Sequence, residues 1–259
     1  MTTHAGGTPI MTRSVFSVAV AALLASIAAL GGCRSGVSAE AVPEPPAEPA
    51  STPARDYAMI FIKTGPLRTP SRAQQSEAMQ GHMANMRRLA QEGTLLIAGP
   101  LAEPKSDPDH RGIFVFDADT IEKGAALAAT DPGAQMGVFA MEPYLLTTAA
   151  PLTELTRLEE EFEQRRLADP EVPDEWFGRM YVMASAPYDE DLAQTLPGAE
   201  GVLIAGTLTN PRGQQRVFAW LDAPNAPLAA GLLPEADWTF HGWYGSPTLE
   251  LLPGLEPGP

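Results

Sequence analysis

Apolar and polar positions along the chain predict strands and helices in an order that occurs twice. From residue 57 the pattern reads strand, long helix, two strands, short helix and strand, and from residue 180 the same strands return with shorter helices. The predicted strands cover 57–63, 95–98, 112–116, 136–146, 180–184, 202–207, 217–221 and 238–244. The predicted helices cover 71–92, 121–130, 152–167, 188–196 and 225–233.

One short segment supports a duplication directly. Thr-Leu-Leu-Ile-Ala-Gly-Pro-Leu at 94–101 returns as Gly-Val-Leu-Ile-Ala-Gly-Thr-Leu at 201–208, and this spacing corresponds to one ordinary domain. The β-α-β-β-α-β order predicts an α+β fold in which two helices cover one face of a four-stranded antiparallel sheet, the ferredoxin-like arrangement. The second copy keeps the strands and has only short, proline-interrupted helices.

Each sheet has a second face that must also be covered. We therefore expect the two ferredoxin-like units to pack face to face within the chain, as an intramolecular α+β barrel pseudo-dimer. The alternative is two independent domains that each pair with another molecule. The short connection between the units favours the intramolecular arrangement, and a further homo-oligomer stays open.

The N-terminus is typical of an export signal. Arg13 precedes an apolar run at 15–30, which ends in Leu-Gly-Gly at 30–32 and then Cys33, the only cysteine of the chain. These four residues resemble the lipobox of bacterial lipoproteins, which implies a signal peptide at 1–32 and lipidation of Cys33. An uncleaved transmembrane anchor with an incidental cysteine is the alternative.

The lipobox resemblance also implies a location. Arg34 follows the cysteine where an aspartate would favour retention at the inner membrane, so the expected site is the outer membrane of a bacterial cell envelope, facing the periplasm, held by a lipid anchor. Translation could start at Met1 or Met11. With its one cysteine lipidated, the exported part has no internal disulfide.

Composition divides the rest of the chain. Residues 33–55 are rich in Pro, Ala and Glu and form a predicted tether. The first domain is expected at 56–148, a connecting helix at 149–176 and the degenerate second domain at 177–259. Loss of Arg13 with the signal makes the charge one unit more negative than the −15 of the whole chain, which argues against nucleic acid or anionic lipid as a partner.

The first domain contains two informative motifs. The first is the run 81–93, beginning Gly-His-Met-Ala-Asn, followed by Leu-Leu-Ile-Ala-Gly-Pro-Leu at 95–101. The second is Ala-Thr-Asp-Pro at 129–132, before Gly-Val-Phe at 137–139. These motifs resemble the YCII-related family, and the resemblance implies a ferredoxin-like α+β barrel fold, usually dimeric. It also implies a cleft in which a histidine and an aspartate face each other.

Carried onto this sequence, the resemblance makes His82 the acid/base and Asp131 the residue that orients it. Imidazole titrates near neutrality, and a carboxylate on its other nitrogen fixes the tautomer. No cofactor is implied, and the ligand would be a small organic molecule; aromatic dehydrochlorination is one assigned activity of the family. The alternative is structural: His82 is a hydrogen-bonded residue that borders a stripe of methionines, and Asp131 caps the end of its helix or the Asp-Pro turn.

Other candidate sites have weaker support in the sequence. His110, in a predicted polar loop, and His241 would need distant residues to converge on a metal, and no ligand spacing supports this. The methionines at 79, 83, 86 and 136 could form a soft-metal or oxidation-sensing cluster, but such spacing is typical of core packing. The tryptophans at 220, 238 and 243 are expected in the core of the second sheet, with a ligand cleft between the sheets as the alternative.

Two functional hypotheses follow. The first is an exported, lipid-anchored protein that binds a small organic molecule and performs acid/base chemistry with His82 and Asp131. The second is a non-enzymatic envelope lipoprotein, a binding or assembly module. The second half favours the latter because it lacks a counterpart of His82.

Overall fold

Eight strands dominate the part of the chain that the computed structural model describes, residues 53–169 and 178–252. They are β1 (Arg55–Thr64), β2 (Leu95–Ala102), β3 (His110–Phe116), β4 (Phe139–Thr148), β5 (Arg179–Pro187), β6 (Val202–Thr209), β7 (Gln215–Leu221) and β8 (Thr239–Gly245). All pair antiparallel and close into a barrel in the order β1-β3-β2-β8-β5-β7-β6-β4. The structure is therefore mixed α/β with a closed eight-stranded barrel, consistent with the predicted α+β fold.

In the described residues, six helices lie between the strands and one 3-10 helix follows β8. They are α1 (Arg72–Gln91), α2 (Ile121–Ala128), α3 (Pro132–Gln135), α4 (Glu154–Ala168), α5 (Glu190–Thr195), α6 (Ala226–Gly231) and the 3-10 helix Pro247–Leu251. We call the part from β1 to β4 the first half and the part from β5 to β8 the second half. The predicted long helix of the first half and the predicted short helices of the second half are confirmed. Among the described residues, no helix combines the length and the apolar character needed to cross a membrane.

Alternation along each strand divides the core into an inner and an outer layer. On β1, Tyr57, Met59 and Phe61 belong to the cluster that fills the barrel, together with residues of both halves. The intervening Ile60 and Ile62 belong to an outer cluster with residues of α1 and α2. One face of the first four strands is thus covered by helices, as predicted, and the other forms the barrel interior.

The two halves meet along two seams of unequal length. Strands β4 and β6 pair over four positions, from Leu145 to Thr148. Strands β2 and β8 pair over two, Leu101 with Trp243 and Ala102 with Gly242. Within each half the strand order is the same, β4-β1-β3-β2 and β8-β5-β7-β6.

The halves also share a local irregularity. The register of β2 against β3 shifts between Leu95 and Ile97, and that of β6 against β7 shifts between Val202 and Ile204. These are the corresponding positions of the repeated segment. The bulge therefore belongs to the Leu-Ile-Ala-Gly sequence in both places.

A second shared feature lies at the start of β1 and β5. The guanidinium of Arg55 stacks over the ring of Tyr57 and contacts Asp117. In the second half Arg179 stacks over Tyr181 and contacts Asp222. Each arginine joins the first strand of its half to the loop after the third.

Three details differ from the sequence-based expectation. The predicted strand 136–146 starts only at Phe139, because α3 and a turn at Gly137 (φ +73°) occupy the residues before it. His110 is not in a loop; it is the first residue of β3 and is buried. Strand β2 continues through Pro100 to Ala102. The predicted signal peptide with Cys33 and nearly all of the tether lie outside the described residues.

Candidate active site

Helix α1 carries His82 near its middle. Ser71 starts the helix with a capping box, because its hydroxyl accepts from Gln74 N–H while the Gln74 side chain accepts from Ser71 N–H. The face turned toward the sheet consists of Ala78, His82, Asn85 and Leu89. His82 is thus held on the inner side of a rigid, well-capped helix.

The predicted methionine stripe is only partly buried, so the expectation of core packing is wrong for two of its members. Met79 and Met83 are 49% and 42% exposed, whereas Met86 packs against the outer core cluster. Small and polar residues form the buried face of α1 instead because the loop before α3 packs closely against it.

Asp131 is the N-cap of α3 and is fully buried. Its Oδ1 accepts from the backbone N–H of Gly133 at 2.8 Å and of Ala134 at 3.3 Å. Pro132 occupies the first helical position, where its missing N–H costs nothing. The structural alternative predicted that Asp131 caps the end of the preceding helix or the Asp-Pro turn. Asp131 instead caps the start of α3, and this cap uses only one carboxylate oxygen.

The other oxygen faces His82. Asp131 Oδ2 lies 2.6 Å from His82 Nδ1. With Asp131 as a carboxylate, Nδ1 carries the proton and donates it, which leaves Nε2 as the acceptor. Nε2 makes no hydrogen bond within the described part of the chain, and the His82 side chain retains 11% exposure. The geometry brings together the two residues that the sequence singled out.

Contacts made by neighbouring turns of α1 hold His82 and Asp131 in position relative to each other. Gly81 lies against Pro132, and a methyl group at Gly81 would come within 2.6 Å of Pro132 Cβ. One turn later Asn85 Nδ2 donates to Thr130 Oγ1 at 3.2 Å, and Arg88 Nη2 donates to Asn85 Oδ1 at 2.8 Å. The segment around Asp131 is thus fixed to α1 both before and after His82.

Aromatic rings border the imidazole. The His82 ring lies 5.5 Å from the Phe114 ring and 5.1 Å from the Phe139 ring, measured between centroids. Phe139 also packs on Gly133, where a Cβ would lie 2.4 Å from the ring. A glycine at 133 therefore lets Phe139 and Asp131 approach His82 together.

A cleft of about 390 Å³ begins at Phe139 and runs along the N-terminal half of α1. Its lining combines apolar, polar and basic side chains: Thr64, Leu67, Arg68, Pro70, Gln75, Met79, Arg111, Val138 and Phe139. His82 and Asp131 do not line this cleft themselves. Phe139 is the residue that joins the cleft to the pair.

A larger cavity of about 470 Å³ lies at the other end of α1. Helix α1, strand β2, helix α4 and the 3-10 helix surround it, and Met83, Met86, Ile97 and Leu249 make its lining largely apolar. Trp243 also borders it. This cavity does not include His82 or Asp131.

Two further histidines meet inside one end of the barrel. The rings of His110 and His241 lie 5.4 Å apart, and each also contacts Phe61. Burial lowers the pKa of His110 from its usual value, and burial lowers the pKa of His241 to about 4. Both rings are therefore neutral at pH 7, and three of their four nitrogens have no hydrogen-bond partner in the described chain.

Charged and phenolic groups surround this histidine pair. Glu142 Oε2 lies 3.6 Å from His110 Nε2, and the Tyr144 hydroxyl donates to Glu142 Oε1 at 2.8 Å. Burial and this hydrogen bond raise the pKa of Tyr144 to about 12. The described residues contain no group of three His, Cys, Asp or Glu side chains that could hold a metal ion.

The tryptophans divide between the two core layers. Trp220 and Trp243 fill the barrel interior with their rings 4.6 Å apart, which agrees with the predicted core role. Trp238 is half-buried on the outer side, where its Nε1 donates to Pro234 O.

Two features of these sites are absent from the sequence-based expectations: the convergence of two arginines and that of two histidines. Arg68 and Arg111 converge on the cleft because β1 and β3 are paired, and this pairing places residues 43 positions apart beside each other. The convergence of His110 and His241 could have been suspected from alternation, because His241 is two residues before the inward-facing Trp243. The start of α3 was also readable, since Asp-Pro-Gly is a common helix N-terminus.

Residues 57–146 match the YCII-related domain, so this part of the chain, from β1 to β4, is a YCII-related domain. No significant match was found among curated proteins or among solved structures.

Proposed function

We propose that the YCII-related domain performs cofactor-free acid/base chemistry on a small organic molecule, with His82 as the acid/base and Asp131 as the residue that orients it. One observation carries this proposal. His82 Nδ1 is committed to a fully buried carboxylate at 2.6 Å while Nε2 has no partner in the described chain. This is the arrangement that a histidine needs to exchange a proton with a bound molecule.

The chemistry follows from the two nitrogens. Nε2 takes a proton from a carbon or oxygen of the ligand, and the electron pair of the broken bond moves into the ligand. Asp131 stabilises the resulting imidazolium without moving, because its second oxygen is fixed by the α3 backbone. Nε2 then returns the proton to another atom of the same molecule, or a leaving group departs with its electron pair.

The test is a direct measurement of proton exchange and elimination. The full chain is incubated in D₂O with carbonyl acids, hydroxybenzoates and chlorinated hydroquinones, and NMR follows deuterium incorporation and chloride release. For an accepted substrate, His82→Gln should reduce the rate at least about 100-fold. Asp131→Asn should reduce it less, because the imidazole is still present.

Gln80→Ala is the matched control, since Gln80 lies two residues before His82 on the exposed side of α1 and its side chain donates a hydrogen bond to Ser76. It should leave the rate unchanged. Equal rates in wild type and His82→Gln for every accepted substrate would contradict the proposed role of His82.

A second candidate function is non-enzymatic binding. The observation that favours it is the cavity of about 470 Å³, which is larger than the cleft, has a largely apolar lining and lies away from the pair. A protein of this kind would bind hydrophobic molecules there with no exchange chemistry. No turnover in the panel, together with binding that Met86→Gln weakens and His82→Gln does not, would favour this function.

We propose further that the barrel is an internal pseudo-dimer of two ferredoxin-like units produced by duplication. The identical strand order of the halves supports this, as do the bulges at Leu95/Ile97 and Val202/Ile204. The arginine–tyrosine stacking at the start of β1 and β5 supports it independently. Closing the barrel within one chain avoids the entropy cost of association.

We also propose that the protein is exported and lipid-anchored through Cys33 in a bacterial envelope. The support is the basic residue, apolar run and Leu-Gly-Gly-Cys sequence at the N-terminus. Cys33→Ser should prevent lipid attachment and release the protein from the membrane fraction, with mass spectrometry reporting the N-terminal modification. A Cys33→Ser protein that stays membrane-bound at the same processed size would contradict the anchor.

A further inference from the structure

We infer that the cleft beside His82 takes a small organic anion, with its carboxylate on Arg111 and a planar apolar body against Phe139. The inference rests on the proposed function for the location of the chemistry and adds the class of ligand. It concerns binding, so it can be tested without any turnover.

The charged side chains that line the cleft are all basic. Arg68 and Arg111 both line it, and no acidic residue is among the described residues of its lining. This contrasts with the net charge of −15 for the chain. A cleft with basic walls in an acidic protein attracts anions locally while the rest of the surface repels them.

The two arginines are not equivalent. Arg68 Nη1 lies 2.7 Å from Asp109 Oδ2, so its charge is already balanced. Arg111 has no carboxylate within ion-pair distance in the described part of the chain. Its Nε instead donates to Thr64 Oγ1 at 2.7 Å. Arg111 is therefore the cation that a ligand can neutralise.

The contact with Thr64 also determines which nitrogens of Arg111 can donate to a ligand. It occupies Nε and fixes the guanidinium plane, which leaves Nη1 and Nη2 to donate to both oxygens of one carboxylate. Thr64 is held in turn, because its backbone N–H donates to Asp109 O at 2.8 Å. The Arg111 guanidinium is thus held by the end of β1 and the start of β3 rather than by a connecting loop.

The apolar wall defines the rest of the ligand. Met79, Val138 and Phe139 line the cleft, and Met79 is 49% exposed on the surface of α1. Thioether and phenyl groups pack well against a planar ring. The volume of about 390 Å³ is near the lower end for ligand sites, which favours a single ring. Because the Phe139 ring lies 5.1 Å from the His82 ring, such a ligand would lie next to the imidazole.

The test compares an aromatic carboxylate with its neutral isostere. The full, ¹⁵N-labelled chain is titrated with benzoate and with benzamide, and amide shifts are followed by NMR. We expect saturable shifts around Arg111, Met79 and Phe139 with benzoate, and binding of benzamide weaker by at least about tenfold. Added salt should weaken only the binding of benzoate.

Three variants assign the effect to the guanidinium. Arg111→Gln should weaken benzoate binding at least about tenfold, and Arg111→Lys should restore only part of it, because an ammonium keeps the charge without the two parallel donors. Arg212→Gln is the matched control, since Arg212 is exposed in the turn between β6 and β7 on the other half of the barrel. It should bind benzoate like wild type, and unchanged thermal unfolding checks the fold of each variant.

Three outcomes would overturn the inference: benzoate and benzamide bind equally, Arg111→Gln binds benzoate like wild type, or benzoate, salicylate and 4-hydroxybenzoate all bind more weakly than about 10 mM. Failure of the proposed function looks different. In that case benzoate binding would depend on Arg111, whereas no substrate in the exchange assay would depend on His82.

Discussion

The two halves of the barrel share their strands and differ in their helices. Both have the same strand order, the same bulge in the repeated segment and the same arginine–tyrosine stacking. Between its first two strands, however, the first half has α1 with 20 residues and His82, whereas the second has α5 with six. Both halves therefore provide strands that close the barrel, whereas only the first half has a long helix that positions a histidine.

This difference separates the requirements of the fold from those of the site. The barrel interior is filled by side chains from both halves, so neither half can lose its strands. The outer layer is built separately on each half, as two distinct clusters. The helix layer can therefore be smaller on one half than on the other in a closed barrel, and the pair of His82 and Asp131 depends on the layer of the first half alone.

Trp220→Ala should have the largest effect on stability, because it empties part of the interior that both halves share. Trp220 is fully buried and contacts Phe218 and Trp243. The expected loss of unfolding free energy is about 3–5 kcal/mol. Urea unfolding followed by tryptophan fluorescence and by circular dichroism should give one transition. Two separate transitions would mean that the halves fold independently.

Acid should act on the histidine pair that the halves form jointly. The folded-state pKa of His241, at about 4, lies below the unfolded value, so the unfolded chain binds more protons between about pH 6.5 and pH 4. Stability is complete above this window and should fall by about 3 kcal/mol as the pH drops through it. His110 contributes in the same direction.

The charged groups around the two histidines do not hide the loss of stability that protonation of His241 causes. Arg216 lies near His241, while Lys63, Asp107 and Glu142 lie near His110. The hydrogen bond from Lys63 lowers the pKa of Asp107 to about 2, so that carboxylate titrates below the window. His241→Phe should flatten the dependence of unfolding free energy on pH between 6.5 and 4. An equally steep dependence in His241→Phe would contradict this assignment.

Substitution of one N-cap aspartate in each half compares how much the two helix layers contribute to stability. Asp131 is buried and caps α3 while accepting from His82, whereas Asp189 is exposed and caps α5. Asp131→Ala should cost about 2–3 kcal/mol, because it removes a cap and leaves His82 unpaired. Asp189→Ala should cost about 1 kcal/mol. Urea midpoints measure both, and equal losses would mean that the His82 contact adds no stability.

The smallest expected difference concerns the two stacked arginines. Arg55 contacts Asp117, and Arg179 contacts both Asp222 and Glu250. All are partly exposed, so Arg55→Met should cost about 0.5 kcal/mol and Arg179→Met about 1 kcal/mol. Thermal unfolding of the two variants under identical salt conditions checks the order. A larger loss for Arg55→Met would show that the second carboxylate does not contribute.

Periodicity in the sequence was enough to predict the strands and the long helices. Strand geometry places Met59 and Ile60 on opposite faces, but the continuous apolar run at 57–62 does not indicate which of them faces the barrel interior. The pair of His82 and Asp131 was found through a resemblance between motifs and not through their spacing of 49 positions. Their contact requires α1 to pack on the loop before α3, which is a tertiary property.

The errors have physical reasons of the same kind. The methionine spacing predicts core packing for Met79, yet the buried face of α1 uses Ala78 and Asn85 because the loop around Thr130 packs against small and hydrogen-bonding neighbours. His110 looks like a loop residue beside Asp107 and Asp109, and pairing with β1 extends the strand to include it. The cleft around Arg111 likewise depends on strand pairing between distant segments.

The short seam between β2 and β8 has a consequence for how the barrel opens. It is closed by two residue pairs, compared with four between β4 and β6. A fluctuation that separates β2 from β8 would expose two unpaired strand edges, and such edges are templates for pairing with the strands of another molecule. At high concentration, this seam is therefore where we expect domain swapping between neighbouring chains to begin.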